Sequence, residues 1–251
     1  MPDIVVHSAF GAKVLERTGL DVDRGIYDFG LLGPDPYLFY HFYIPPFRNR
    51  INRYASTMHR ERTGEFLMEL ARRAVDSREV FSYLAGFLCH YALDSNTHPY
   101  INRKAKNSGA MHMAIEHKLD NLNGGEVRIP EFLPELMKDS VGGAITKIYG
   151  WRDAWEKFRA GHRDMAPMYR FIEDRKGRLE RIGRITHTKL ELVSYRSSAL
   201  DGMDLRGFYP LYDRALDDAV RYVEAARDFV SGRMDEAALK AIIGSRSYIE
   251  G

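Results

Sequence analysis

The sequence predicts an all-α protein. Between Val80 and Tyr91 the apolar side chains recur at steps of three and four residues, as they do on one face of a buried helix. The same spacing returns between Leu211 and Phe229. We find no internal repeat, no low-complexity segment and no convincing pattern of alternating strands, so helices are expected throughout.

Composition restricts the class of protein. With 251 residues, 45% hydrophobic and 29% charged, the chain resembles an ordinary globular protein that is long enough for one large domain or two small ones. Its formal net charge of +2 is too small to indicate nucleic acid or a membrane surface as a partner. Partners must therefore be inferred from the functional site.

Cysteine usage and hydropathy bear on location. Cys89 is the only cysteine and lies within an apolar run, which indicates a small buried side chain and excludes an internal disulfide. No basic start with a long apolar core is present, and no run approaches eighteen apolar residues. We therefore expect no signal peptide, no transmembrane segment and a cytoplasmic location.

The first elements place a histidine and an aspartate. Ser8 is expected to cap a helix that ends at Gly19, with His7 at the entrance of that helix. The glycines and prolines between Gly30 and Pro46 then forbid a continuous helix. Asp35, between Pro34 and Pro36, is expected on a stiff turn.

An aromatic cluster follows this turn. Its members are Tyr37, Phe39, Tyr40, Phe42 and Tyr43. It is most simply a plug against the core, and the alternative is an apolar wall for a substrate groove. The next helix, capped by Ser56 or Thr57 and continuing to Ala74, is expected to carry His59 in its first turn.

The most informative stretch lies in the central apolar run. His90 and Asp94 are four residues apart, so they lie on the same face of the predicted helix. An imidazole and a carboxylate on so apolar a helix need a partner, and a cation is the simplest one. Pro99 is expected to end the helix near Asn96, which leaves His98 on the following loop.

A second pair of the same kind comes next. His112 and Glu116 are again four apart, Asp120 lies one turn further on, and a polar loop from Asn102 to Gly109 separates the two helices. A single pair of this kind is more often a satisfied hydrogen bond or a surface feature than a metal site. Two pairs and an additional histidine within about thirty residues favour a shared metal pocket.

The remainder of the chain offers helices without motifs. We expect helices over 131–139, through Trp151 and Phe158, over 210–231 and over 235–243. The charged stretch 169–189 indicates a solvated amphipathic helix, or else a rim that attracts anions. Three further histidines, His117, His162 and His187, lack partners at ligand spacing and are interpreted as surface or supporting residues.

These residues, in this order, resemble the zinc-dependent phospholipase C family, whose fold is shared with P1-type zinc nucleases. The resemblance rests on His7, Gly33-Pro34-Asp35, His59, His90 with Asp94, His98, and His112 with Glu116. It covers roughly residues 1–122, followed by a helical remainder over 123–251. It implies a single domain over 1–251, with a metal cluster between core helices.

The resemblance also implies a set of metal ligands for two or three zinc ions. A first ion would be held by Asp35, His59, His90 and Asp94, a second by His98, His112 and Glu116, and a third by His7 with Asp94 bridging. Asp120 is expected to support a ligand histidine. Imidazoles and carboxylates without thiolates suit zinc, and they also suit manganese or iron.

The implied activity is hydrolysis of a phosphodiester, either a phospholipid or a soluble compound, by water that the metals activate. Asp35 is the candidate that orients or deprotonates this water. Nucleic acid is not the favoured substrate, but a nuclease remains an alternative if Tyr37, Tyr40 or Tyr43 stacks a base. A helical metal-binding protein without catalysis is the other alternative.

One feature departs from the family's pattern. Secreted members begin at a tryptophan that completes the third metal site, whereas this chain begins Met1-Pro2. Neither the substrate head group nor the oligomeric state is predicted by the sequence.

Overall fold

The computed structural model describes residues 4–41, 52–106, 108–124, 127–130, 137–173, 177–186, 192, 194–195 and 200–250. Helices account for most of these residues, and none of them belongs to a strand, which confirms the all-α prediction. No helix in the described ranges is long and apolar enough to cross a membrane.

Twelve α-helices are found in the described part of the chain. Their bounds are Ile4–Thr18 (α1), Arg24–Gly30 (α2), Pro36–Phe39 (α3), Asn52–Arg60 (α4), Thr63–Ala74 (α5), Arg78–Ala105 (α6), Gly109–Asn123 (α7), Gly143–Tyr149 (α8), Ala154–Glu173 (α9), Arg178–Thr186 (α10), Tyr209–Val230 (α11) and Glu236–Ile243 (α12). A π-helical turn over Lys138–Gly142 precedes α8, and a 3₁₀ turn over Arg206–Phe208 precedes α11.

Helix α6 is the centre of the molecule. It packs against α1, α2, α5, α7 and α11, and every residue from Val80 to His98 is buried. Helix α2 crosses it where Gly30 faces Gly86; a Cβ on Gly86 would lie 2.1 Å from the Tyr27 carbonyl oxygen. Polar side chains in the middle of α6 are therefore enclosed by protein on all sides.

The prediction that α6 ends near Asn96 is wrong, because the helix continues through Pro99 to Ala105. His98 consequently lies on the helix rather than on a loop, and the connection to α7 is much shorter than the predicted 102–109. Proline inside a helix costs about 3 kcal/mol. Burial of Ile101 and Ala105 beyond the proline offsets that cost.

Two other helix boundaries differ from prediction. Helix α1 covers Ile4–Thr18, so His7 and Ser8 both lie within the helix and Ser8 is not its cap. The predicted helix through His59 is divided in two by Arg62, whose φ of 55° is left-handed. His59 therefore lies in the last turn of α4, not in the first turn of a helix.

The later helices largely follow the prediction. Helix α9 contains Phe158 but begins at Ala154, so Trp151, which was predicted within the helix, lies before it. Helices α11 and α12 match the predicted 210–231 and 235–243. In the charged stretch 169–189, α10 carries exposed arginines, in agreement with a solvated helix. Several predicted features lie outside the described residues, namely residues 131–136, His187, Phe42, Tyr43 and the Met1-Pro2 start.

Candidate metal centre

The eight predicted ligand residues come together around the middle of α6. Five of them form the inner group, which consists of His7, Asp35, His59, His90 and Asp94. Three form the outer group, which consists of His98, His112 and Glu116. Seven of the eight are buried, and His112 is partly exposed. Three triads have donor atoms within 4.8 Å of one another: His7/Asp35/His90, His59/His90/Asp94 and His98/His112/Glu116.

Asp94 is the hub of the inner group. Its Oδ1 lies 3.3 Å from His7 Nε2, and its Oδ2 lies 3.1 Å from His90 Nε2 and 3.9 Å from His59 Nε2. Asp35 Oδ1 approaches from the other side, 3.2 Å from His59 Nε2. The inner group thus concentrates two carboxylates and three imidazoles, all of them buried, around Asp94.

The outer group joins the end of α6 to the start of α7. Glu116 Oε1 lies 2.7 Å from His112 Nε2 and 3.4 Å from His98 Nε2. The two groups meet at His98, whose Nδ1 is 3.7 Å from Asp94 Oδ2. They are therefore adjacent parts of one polar centre.

Oxygen atoms elsewhere in the protein fix the orientation of four imidazoles. The Nδ1 atoms of His59, His90, His98 and His112 lie 2.7–3.0 Å from Ala55 O, Leu31 O, Tyr248 O and Asn102 Oδ1, respectively. Because a carbonyl oxygen only accepts, each of these Nδ1 atoms carries the hydrogen. In a neutral ring Nε2 then presents a lone pair, which is the form that binds a metal.

The protonation states agree with this tautomer in the outer group. Burial lowers the pKa of His112 to about 3 and holds the pKa of His98 well below its ordinary value. Both rings are therefore neutral at pH 7, and each points Nε2 at Glu116.

The inner group holds excess negative charge. Burial alone would raise the pKa of Asp94, but His98 and His90 outweigh it and hold that pKa well below its usual range. Burial also opposes a proton on His90, yet Asp94 and Asp35 outweigh it and raise the pKa of this histidine. Nε2 of His90 therefore faces a position that attracts a proton or a metal cation.

The residues present fit a bound metal ion. Among the described residues, several buried donor atoms of the centre have no hydrogen-bond partner: both ring nitrogens of His7, Asp35 Oδ1, both carboxylate oxygens of Asp94, and Nε2 of His59, His90 and His98. Buried charges and lone pairs are costly unless paired or bound to a metal. Nitrogen and oxygen donors of this kind suit zinc.

Cys89 is not a further donor, although it lies one residue before His90. Its thiol is within 3.1 Å of the Tyr27 hydroxyl, and burial raises its pKa to about 12. It therefore stays a neutral thiol.

The turn that carries Asp35 is shaped by a glycine. Gly33 has a φ of +53°, and a Cβ on it would lie 2.3 Å from the His90 ring. Asp35 occupies the N-cap position of α3, yet its carboxylate does not cap that helix. The carboxylate points towards His59 instead, as expected for a side chain that belongs to the metal centre.

Asp120, which was predicted to support a ligand histidine, binds the backbone of α1. Its carboxylate accepts hydrogen bonds from Val5 N (3.2 Å) and Val6 N (2.9 Å). The Tyr195 hydroxyl donates to it as well, at 2.8 Å. Asp120 thereby satisfies two amides in the first turn of α1, which is the turn that carries His7.

A cleft of about 490 Å³ opens beside the outer group. One wall is polar, with His59, His98, His112 and Glu116, and the remainder includes Phe39, Met113, Met168, Tyr169 and Ile172. Asp35 and His7 line a smaller cavity of about 10 Å³. A ligand in the large cleft would contact the outer group directly.

Sequence reasoning missed the part of the site that follows α12. Tyr248 is buried against His59 and His90, and its backbone bonds to two of the histidines. The sequence carries no spacing signal for this role, because backbone groups are common to every residue type.

Comparison with known proteins agrees with this geometry. A family model described as zinc dependent phospholipase C matches residues 6–172, which include all eight residues of the inner and outer groups. A comparison with curated proteins gives no match, and neither does one with solved structures. At the level of the family, this match supports a metal-dependent phosphodiesterase activity. Since the family model covers more than half of the chain, this protein belongs to the zinc-dependent phospholipase C family.

Proposed function

We propose that this protein hydrolyses a phosphodiester, either a phospholipid or a soluble compound, to a phosphomonoester and an alcohol. The observation that carries the proposal is the convergence of buried carboxylates and imidazoles into triads with donor atoms within 4.8 Å of one another, one of which, His98/His112/Glu116, lines a cleft. A purely structural zinc site is closed on all sides, whereas a catalytic one keeps an accessible face.

The inner and outer groups are the proposed ligands for two or three zinc ions. Asp35, His59, His90 and Asp94 would hold the first, and His98, His112 and Glu116 the second. A third would lie between His7 and Asp94, 3.3 Å apart. When bound, zinc supplies positive charge for the phosphodiester oxygens and acidifies a water molecule.

Asp35 is the proposed base. Its carboxylate is held by a turn between two prolines, and its Oδ1 lacks a hydrogen-bond partner among the described residues. It therefore retains acceptor capacity to orient a water molecule and take its proton. His59, 3.2 Å away, fixes the side on which this carboxylate acts.

The cleft supports a substrate with an apolar portion. Met113, Met168 and Ile172 offer apolar surface opposite the polar wall, and Arg60 stands at the exposed side. A guanidinium there is suited to the anionic phosphate. We further propose that residues 1–251 act as one domain, since α11, far beyond the ligands in sequence, packs on α6.

The nuclease alternative receives less support from the aromatic side chains. Tyr37 is fully buried and donates its hydroxyl to Ala154 O, and Tyr40 stacks on His41. Neither is among the residues that line the cleft, where a base would have to stack. Phe39 lines the cleft instead, so the predicted aromatic plug contributes in part to a groove wall.

Metal analysis and hydrolysis together test the proposed function. We expect the purified protein to contain two or three equivalents of zinc and to hydrolyse a chromogenic choline phosphodiester. A chelator should abolish the reaction, and added zinc should restore it. Bound metal without hydrolysis of any phosphodiester, lipid or soluble, would favour the non-catalytic alternative.

Asp35→Asn tests the base. Removal of a general base lowers turnover by about 10²- to 10⁴-fold, while the amide oxygen still leaves most of the metal bound. Asp164→Asn is the matched control, because Asp164 is a partly buried aspartate that accepts from His41 N. Full hydrolysis by Asp35→Asn would remove this residue from the mechanism.

A further inference from the structure

Residues 244–250 lie beside the metal centre although they are more than 120 residues from its last predicted ligand. Tyr248 is 1% exposed, and its ring centroid lies 5.2 Å from that of His59 and 5.0 Å from that of Tyr91. The segment also lies well beyond residue 172, where the family match ends. It is therefore a feature of this chain that the family match does not include.

The segment bonds to two of the four histidines that line the cleft, His59 and His98, and reaches a third, His112, through Asn102. Tyr248 O accepts from His98 Nδ1 at 2.9 Å, and Tyr248 N donates to His59 O at 2.7 Å. The contact with His112 is indirect. Asn102 Nδ2 donates a hydrogen bond to Ile249 O at 3.1 Å, and Asn102 Oδ1 accepts one from His112 Nδ1 at 2.8 Å. Three histidines from three helices are thus linked through two consecutive residues.

We propose that residues 244–250 are a positioning segment for the outer group, which set the tautomer and orientation of His98 and support His112 through Asn102. The proposal rests on the proposed function, since it concerns the same centre. An acceptor on Nδ1 keeps the hydrogen there and leaves Nε2 free to bind metal. Without Tyr248 O, the ring of His98 is free to rotate or to exchange tautomers.

A separate set of bonds anchors the segment to the helical core. The Arg246 guanidinium Nη2 lies 2.8 Å from Asp218 Oδ2 and 2.6 Å from the Tyr222 hydroxyl, both on α11. Its backbone amide donates to the Tyr91 hydroxyl, and its carbonyl accepts from Thr63 Oγ1. Arg246 thus holds the segment without touching any ligand.

Arg246→Met, compared with Arg221→Met, tests the proposal. Both arginines bond to Asp218, but Arg221 has an exposed side chain and bonds to Oδ1, whereas Arg246 bonds to Oδ2 and is itself part of the segment. We expect Arg246→Met to weaken zinc binding at the outer group by about 10- to 100-fold, the range for loss of groups that orient ligands. Arg221→Met should leave the affinity unchanged. The measurement is competition with a chromophoric chelator, together with the visible spectrum of the cobalt-substituted protein.

A second pair of variants separates positioning from packing. Tyr248→Ala should weaken the outer site as Arg246→Met does, whereas Tyr248→Phe keeps the ring and the backbone and should retain wild-type affinity. If Tyr248→Ala does not fold, Arg246→Met decides the question.

Unchanged zinc affinity in Arg246→Met, or equal losses in Arg246→Met and Arg221→Met, would overturn the proposal. A wild-type protein that binds zinc but hydrolyses no phosphodiester refutes the proposed function alone, and the affinity comparison still decides the role of residues 244–250. Failure of the wild-type protein to bind zinc would refute both.

Discussion

The inner and outer groups use the same kinds of side chain in different surroundings. In the inner group Asp94 is 0% exposed, and its histidines, which lie on α1, α4 and α6, are buried. In the outer group the side chain of His112 is 22% exposed, and the cleft opens beside it. Charge in the inner group is therefore costly unless it is neutralised, whereas the outer group lies on the wall of an open cleft.

This difference implies a division of labour. Loss of metal from the inner group should cost stability as well as activity, because it leaves buried carboxylates uncompensated. Loss of metal from the outer group should cost activity, with a smaller effect on stability, because water can reach that group. The variants below test this division in order of expected effect.

Asp94→Asn should have the largest effect, because four histidines lie within 4 Å of this carboxylate. We expect loss of metal from both groups, loss of hydrolysis and a lower melting temperature in the presence of zinc. Elemental analysis and thermal unfolding provide the measurement, with Asp164→Asn as the control. If Asp94→Asn kept its full metal content, Asp94 would not be the hub of the centre.

Glu116→Ala should remove the outer metal and spare the inner one. We expect the zinc content to fall by about one equivalent and hydrolysis to fall at least about 100-fold, since the metal supplies much of the charge stabilisation. The melting temperature should fall less than in Asp94→Asn. An equal or larger loss of stability in Glu116→Ala would contradict the division between the two groups.

Gly33→Ala tests how the inner group is shaped, with Gly19→Ala as a matched control. Both glycines have φ near +55°, but a Cβ on Gly33 meets the His90 ring, whereas nothing lies within 4 Å of one on Gly19. In both variants the left-handed backbone conformation destabilises the alanine by about 1 kcal/mol. Gly33→Ala should lose about 1–3 kcal/mol more in free energy of unfolding, because the core must shift. Equal losses, measured by denaturant unfolding, would show that the turn tolerates a side chain.

Asn102→Ala should give the smallest effect, confined to the outer group. Removing the oxygen next to His112 Nδ1 should weaken outer zinc binding about tenfold. Asn123→Ala, which removes an amide bonded to Leu119 O within α7, is the control. Chelator competition measures the zinc affinities. A loss of zinc from the inner group in Asn102→Ala would contradict the division of the centre into two separate groups.

Part of the centre was predictable because it depends on local geometry. The spacing of His90 with Asp94, and of His112 with Glu116, places each pair on one helical face whatever the rest of the fold does. The helices α11 and α12 were predicted for the same reason.

Boundaries and supporting contacts were not predictable. The expected end of α6 at Asn96 followed from Pro99, but packing of the residues beyond it prevailed over propensity. The expected first-turn position of His59 failed, because a left-handed residue, Arg62, divides the predicted helix.

The amino-acid sequence by itself determined the helical class, the two histidine–carboxylate pairs and the family. Only the tertiary structure decided which way the imidazoles of His90 and His98 point, since Leu31 and Tyr248 provide the acceptors through their backbone carbonyls. Such groups are identical in every residue, so they leave no mark in the sequence. Their position depends on how distant segments pack around α6.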